Sequence, residues 1–141
     1  MSRKYLLVLF AAVACIPAAN ADDVDNWLTS YVAPKSLALK KIELRKNDKG
    51  EVKIRAYGTG YPDDVDWGEV TAQVHKQVGG GLPNFLATFS IPKAKELLII
   101  NPNSGGGKPN SGGYVLVELF TTFNDGRQSE FVRLSMQTPQ K

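Results

Sequence analysis

The sequence predicts an all-β domain of two packed antiparallel sheets. Three observations carry that expectation. Apolar residues recur at every second position over most of the chain, the runs are short, and Gly, Pro, Asn and Asp clusters separate them.

Residues 1–21 read as a secretory signal peptide that precedes the domain. Arg3 and Lys4 form a positive start, and the apolar stretch from Tyr5 to Ile16 is too short to span a bilayer. Pro17 breaks it, and Ala19-Asn20-Ala21 supplies small residues for cleavage before Asp22. Cys15, behind Ala12-Val13-Ala14, loosely resembles a lipidation site, but Ala12 stands where Leu is usual. Cleavage after Ala21 and a periplasmic or secreted destination are therefore expected, with lipid anchoring at Cys15 as the alternative.

Residues 22–35 are expected to form a short helical lead-in. Trp27, Leu28, Tyr31 and Val32 fall at helical spacing, Asp25 can cap, and Pro34 stops the run. So short a helix persists only when docked, which makes Trp27 a packing anchor.

The β domain is expected over residues 36–141. Ile42 and Leu44, then Val52, Ile54 and Ala56, alternate with polar residues around Asn47-Asp48-Lys49-Gly50, which suits a type I turn closed by a left-handed Gly. Either register sets Glu43 opposite Lys53 or Arg55. Residues 61–79 are two-sided. Asp66-Trp67-Gly68-Glu69 has the form of a helix capping box, while Val70-Thr71-Ala72-Gln73-Val74 alternates like a strand, and strand is the expected outcome. Phe85, Ala87, Phe89 and Ile91 alternate up to Pro92, and Leu97–Ile100 is a continuous apolar run that suits a buried strand. From Asn101 to Gly113, Pro-Asn-Ser-Gly-Gly occurs twice, as a low-complexity loop.

The last hairpin is the most specific signal. Asp125-Gly126 favours a two-residue type I′ turn, with Asn124 opposite Arg127. That register pairs Leu119 with Val132, Val117 with Leu134, Val115 with Met136, Phe120 with Phe131 and Glu118 with Arg133; a slip of one residue would scramble both faces. Together the short strands point to a small antiparallel β-sandwich, immunoglobulin-like or related, without the disulfide and core tryptophan of antibody domains.

Charge and composition narrow the chemistry. The chain is +3, from 17 basic and 14 acidic residues; without Arg3 and Lys4 it is 15 against 14, or +1. So small an excess gives no reason to expect a nucleic acid partner. Without Cys15 no cysteine remains, so disulfides and thiolate chemistry are excluded from the mature chain. His75 is the single histidine, beside Lys76, and no Gly-x-Ser-x-Gly elbow exists. Gly105-Gly106-Gly107-Lys108 lacks the first Gly and the Ser/Thr of a phosphate loop. No catalytic residue, resident metal or cofactor is assigned, and no transmembrane segment remains after signal cleavage.

Three groups remain. Asp63, Asp64 and Asp66 are hard oxygen donors that suit calcium, although not at EF-hand spacing, or a small envelope hydrolase. Residues Lys35 to Arg55 hold eight positive charges against three negative, and Lys53, Arg55 and Tyr57 share an outer face that could meet an anionic envelope polymer. The second face of the last hairpin carries Tyr114, Leu116, Phe120 and Phe131 beside Arg133, a mixture that suits an interface unless the lead-in covers it through Trp27 and Tyr31. The expected function is a small exported, non-enzymatic binding module that contacts a protein partner or forms a homo-oligomer. Its rivals are the acidic-loop hydrolase and a lipid-anchored structural protein of the outer membrane.

Overall fold

The structure, a computed structural model, describes residues 24–102 and 114–139. The proposed leader with Cys15, and all but the first two residues of the low-complexity loop, lie outside that range.

The strands follow the alternation closely. They are β1 (Ser30–Val32), β2 (Leu39–Lys46), β3 (Val52–Gly58), β4 (Val65–Thr71), β5 (Gln73–His75), β6 (Asn84–Ile91), β7 (Ala94–Pro102), β8 (Tyr114–Phe123) and β9 (Glu130–Gln137). All belong to one antiparallel sheet in the order β4-β3-β2-β1-β9-β8-β7-β6-β5. Its two ends, β4 and β5, are neighbours in the chain with Ala72 alone between them. The first half of this stretch pairs with β3 and the second with β6, so the sheet curls into a nearly closed barrel.

This corrects the sandwich expectation, and with it the immunoglobulin-like assignment. A sandwich and a barrel impose the same alternation on each strand. What separates them is which edges meet, and here one bent strand supplies both.

The helical lead-in is also corrected. The amides of Trp27 and Leu28 donate to the carbonyls of Val24 and Asp25, which makes a single turn. The chain then enters β1, where Tyr31 pairs with Ile42 of β2. Sheet pairing and burial outweigh the weak propensity of a short isolated helix. Trp27 and Tyr31 are both in the core, and the Tyr31 hydroxyl donates to the Trp27 carbonyl at 2.9 Å. Asp25 pairs with Lys46 at 2.5 Å, which holds this turn against the far end of β2.

Inward residues fill the barrel: Ile42, Leu44, Val52, Ile54 and Ala56 from one half, and Phe85, Phe89, Leu98, Ile100, Val115, Val117 and Met136 from the other. Between residues 61 and 79 the strand prevails. Gly68, at φ 87°, takes up an extra residue between the Arg55–Glu69 and Tyr57–Asp66 pairs, a bulge that only glycine enters without strain.

Both hairpin registers agree with the sequence. Glu43 faces Arg55, and Gly50 adopts φ 77° with its amide bonded to the Asn47 carbonyl. In the last hairpin every pair from Val115–Met136 to Phe120–Phe131 forms as expected. Its turn differs. Gly126 has positive φ but Asp125 does not, so no type I′ turn forms, and the ladder ends at Thr121–Glu130. Beyond that point β8 stays with β7, through Ala94–Phe123 and an Asn124 amide bonded to the Lys93 carbonyl. The arms splay, and the barrel opens at this end.

Candidate functional site

The outer surface of the barrel has two unlike halves. On β2–β4 it is a ladder of ion pairs. Arg45 binds Glu69 through two nitrogens, at 2.6 and 2.7 Å, and Arg55 meets Asp66 at 3.0 Å. Lys41 pairs with Glu43 at 2.5 Å, Lys53 reaches the Thr71 hydroxyl at 2.5 Å, and the Tyr57 hydroxyl faces Glu43 at 3.4 Å. Lys41, Arg45, Lys53 and Arg55 are thus each neutralised, by Glu43, Glu69, Glu51 and Asp66 in turn. The backbone amide of Gly68 and the Arg55 guanidinium hold the Asp66 carboxyl below the usual carboxylate range, and Arg45 does the same for Glu69. Asp66 therefore faces Arg55. Among the described residues, no group of three or more His, Cys, Asp or Glu side chains converges as a metal site.

On β6–β9 the outer surface carries apolar side chains around the Glu118–Arg133 pair. Successive strands align in rows: Leu86, Ile99, Glu118 and Arg133 in one, and Thr88, Leu97, Phe120 and Phe131 in the next. Phe120 and Phe131 are 37% and 50% exposed and stack with centroids 4.8 Å apart. The Arg133 guanidinium lies 5.7 Å over the Phe131 ring and donates to Glu118 at 2.9 Å. Leu116 and Tyr114 are half-buried on the same face. Trp27 and Tyr31 are inside the barrel, so the lead-in does not cover this surface.

Leu86, Leu97 and Ile99 extend the face beyond the residues read from the sequence. The signal for Leu97 and Ile99 was the apolar run Leu97–Ile100, and for Leu86 its place between the core residues Phe85 and Ala87. In a barrel only one side of a strand faces the core, so the second apolar set must lie outside.

Two of the recesses among the described residues adjoin these surfaces. The first follows the seam between the chain's first and last strands. β9 pairs with β1 at the single position Val32–Gln137, and a groove of about 730 Å³ separates Val32–Ser36 from the β9 side at Leu134 and Ser135. The second is the open mouth, a recess of about 310 Å³ between the loops at the splayed end. Trp67, Ile91, Leu119 and Phe123 wall it, and Glu96 and Glu130 supply its charge. Gly58 lets Trp67 lie flat against β3, since a Cβ there would fall 2.5 Å from the indole nitrogen.

Glu96 is the unusual member. It is 5% exposed, and its Oε2 accepts from the Thr121 hydroxyl at 2.6 Å. Burial pushes its carboxyl up, against the Thr121 hydrogen bond, and Glu130 adds to the rise. The sequence reading missed it, although Glu96 is in phase with Ala94, Leu98 and Ile100, all core positions. His75 is exposed on β5, where with Lys76, Gln77 and Asn84 it lines a separate recess of about 310 Å³, apart from the seam and the mouth.

Comparison with family models, with curated proteins and with solved structures finds no match to this chain. Among the described residues no helix is long and apolar enough to cross a membrane.

Proposed function

We propose that this chain is an exported, non-enzymatic binding module that contacts a protein chain, a partner's or a second copy's, through the outer face of β6–β9. The observation that carries the reading is the division of the exterior. Leu86, Leu97, Ile99, Leu116, Phe120 and Phe131 gather on one half, while the other half is a neutralised ion-pair ladder. A contiguous apolar patch with stacked aromatic rings and a charged pair beside them has the make-up of a binding surface. The seam next to β9 favours the same side, because backbone groups there are open to an added strand.

Export rests on the leader, and mass spectrometry of the mature N-terminus tests it: a start at Asp22 is expected, and an acylated Cys15 would replace it with lipid anchoring. Replacement Phe131→Ser tests the face. The melting temperature should stay within a few degrees, while self-association or partner capture, read by sedimentation and cross-linking, is lost. A variant that is badly destabilised as a monomer would remove the face from consideration.

A further inference from the structure

We propose that the mouth recess binds a small organic ammonium ion bearing a compact apolar group. The lining decides the charge. Glu96 and Glu130 are its titratable residues, and among the described residues no Lys, Arg or His side chain lines it. Arg127 stands close by, but its guanidinium is stacked 4.0 Å over the Phe123 ring and bound to Asp125 at 2.7 Å. An anion would meet two carboxyl groups, with the Arg127 guanidinium already paired to Asp125. A neutral ligand would leave Glu96 as poorly solvated as before.

The walls decide the rest of the ligand. Trp67, Ile91 and Leu119 offer apolar surface, and the indole adds an aromatic face for a cation. Leu37 and Val65, 90% and 50% exposed, line the recess at this end. The volume suits a single ring or a short branched chain, not a long acyl tail.

Glu96 gives the site its selectivity. Thr121 binds one carboxylate oxygen. Burial without a positive partner is unfavourable to its ionised form, and an ammonium group supplies that partner as a charge-assisted hydrogen bond. Since the ligand favours the ionised carboxyl, binding expels a proton wherever Glu96 is protonated in the free protein. Affinity should therefore rise with pH until Glu96 is fully ionised. The groups that face it from the neighbouring strands are the Thr121 hydroxyl on β8 and Glu130 on β9.

The test titrates the purified protein with benzylamine, benzyl alcohol and benzoate, following tryptophan fluorescence and backbone amide resonances. Saturable benzylamine binding that shifts the amides of Trp67, Glu96 and Thr121 is expected, with benzyl alcohol and benzoate weaker by about tenfold or more. Glu96→Gln should remove that preference and, at neutral pH, leave the fold at least as stable as the native chain. Glu130→Gln, at the exposed rim, should weaken benzylamine and leave benzyl alcohol unchanged. Equal binding of amine and alcohol, an unaltered preference in both variants, or no saturable binding would overturn the assignment. Since the apolar face is on the outer surface, loss of this site would leave the Phe131 experiment unaffected.

Discussion

Glu96 and Gly58 are single positions where the barrel departs from its own pattern, and both are measurable. Burial raises the Glu96 carboxyl above its ordinary value, so the folded state holds the proton more tightly than the unfolded chain. Its contribution is most favourable below the ordinary glutamate range and is lost as pH rises through the raised value. The melting temperature of the native chain, relative to Glu96→Gln, should accordingly fall as pH is raised from acid to neutral. A difference that is flat with pH would show that the carboxyl is well solvated. At Gly58 a methyl group would strike the Trp67 indole. Gly58→Ala should cost about 1–3 kcal/mol, as overpacking does, and shift the tryptophan emission. Glu96 could be found in the sequence by its phase alone. The contact of Gly58 with Trp67 could not, because it depends on how β3 and β4 align around the bulge at Gly68.

Elements whose partner is adjacent in sequence were the legible ones. In both hairpins a turn signal and alternation together determine register, and they do so locally. Asn47 illustrates the strength of such signals: its side-chain oxygen accepts from the amides of Lys49 and Glu51, at 3.1 and 2.9 Å. Asn47→Ala leaves both amides to solvent and should lower stability by roughly 1 kcal/mol in a denaturant titration. The lead-in was misread because β1 takes its conformation from β2, which begins only at Leu39. A strand of three residues has no period of its own to detect. The Asp125-Gly126 turn was misread for a related reason: β7 keeps its hold on β8 through Phe123, so the hairpin cannot close tightly. Of the face proposed for binding, Tyr114, Leu116, Phe120, Phe131 and Arg133 were legible from the hairpin register. Its continuation onto Leu97 and Ile99 needed the neighbouring strand order.

At the scale of the whole molecule, closure was the illegible step. Alternation states that each strand has an inside, not how many insides there are. Trp27 seals the end opposite the mouth, where Asp25 and Lys46 hold its turn. Trp27→Ala should cost about 3–5 kcal/mol and lower the melting temperature sharply, since it leaves a large cavity in the core. Native-state hydrogen exchange should rank the ladders: amides shared by β6, β7 and β8 slowest, and those beside the β1–β9 seam fastest, because a single residue pair joins it.

The bent strand through Ala72 has a further consequence. Its first half is bound to β3 and its second to β6, so the free edges of β4 and β5 are turned toward the point of closure, where β4 lies against β6, and the flank of β9 is left as an outward edge. Chains that carry an acceptor edge at one end and a donor edge at the other polymerise. A molecule whose potential second edge is already consumed in its own closure terminates whatever it joins. Assemblies made through this barrel should therefore be of fixed stoichiometry, pairs in place of fibres.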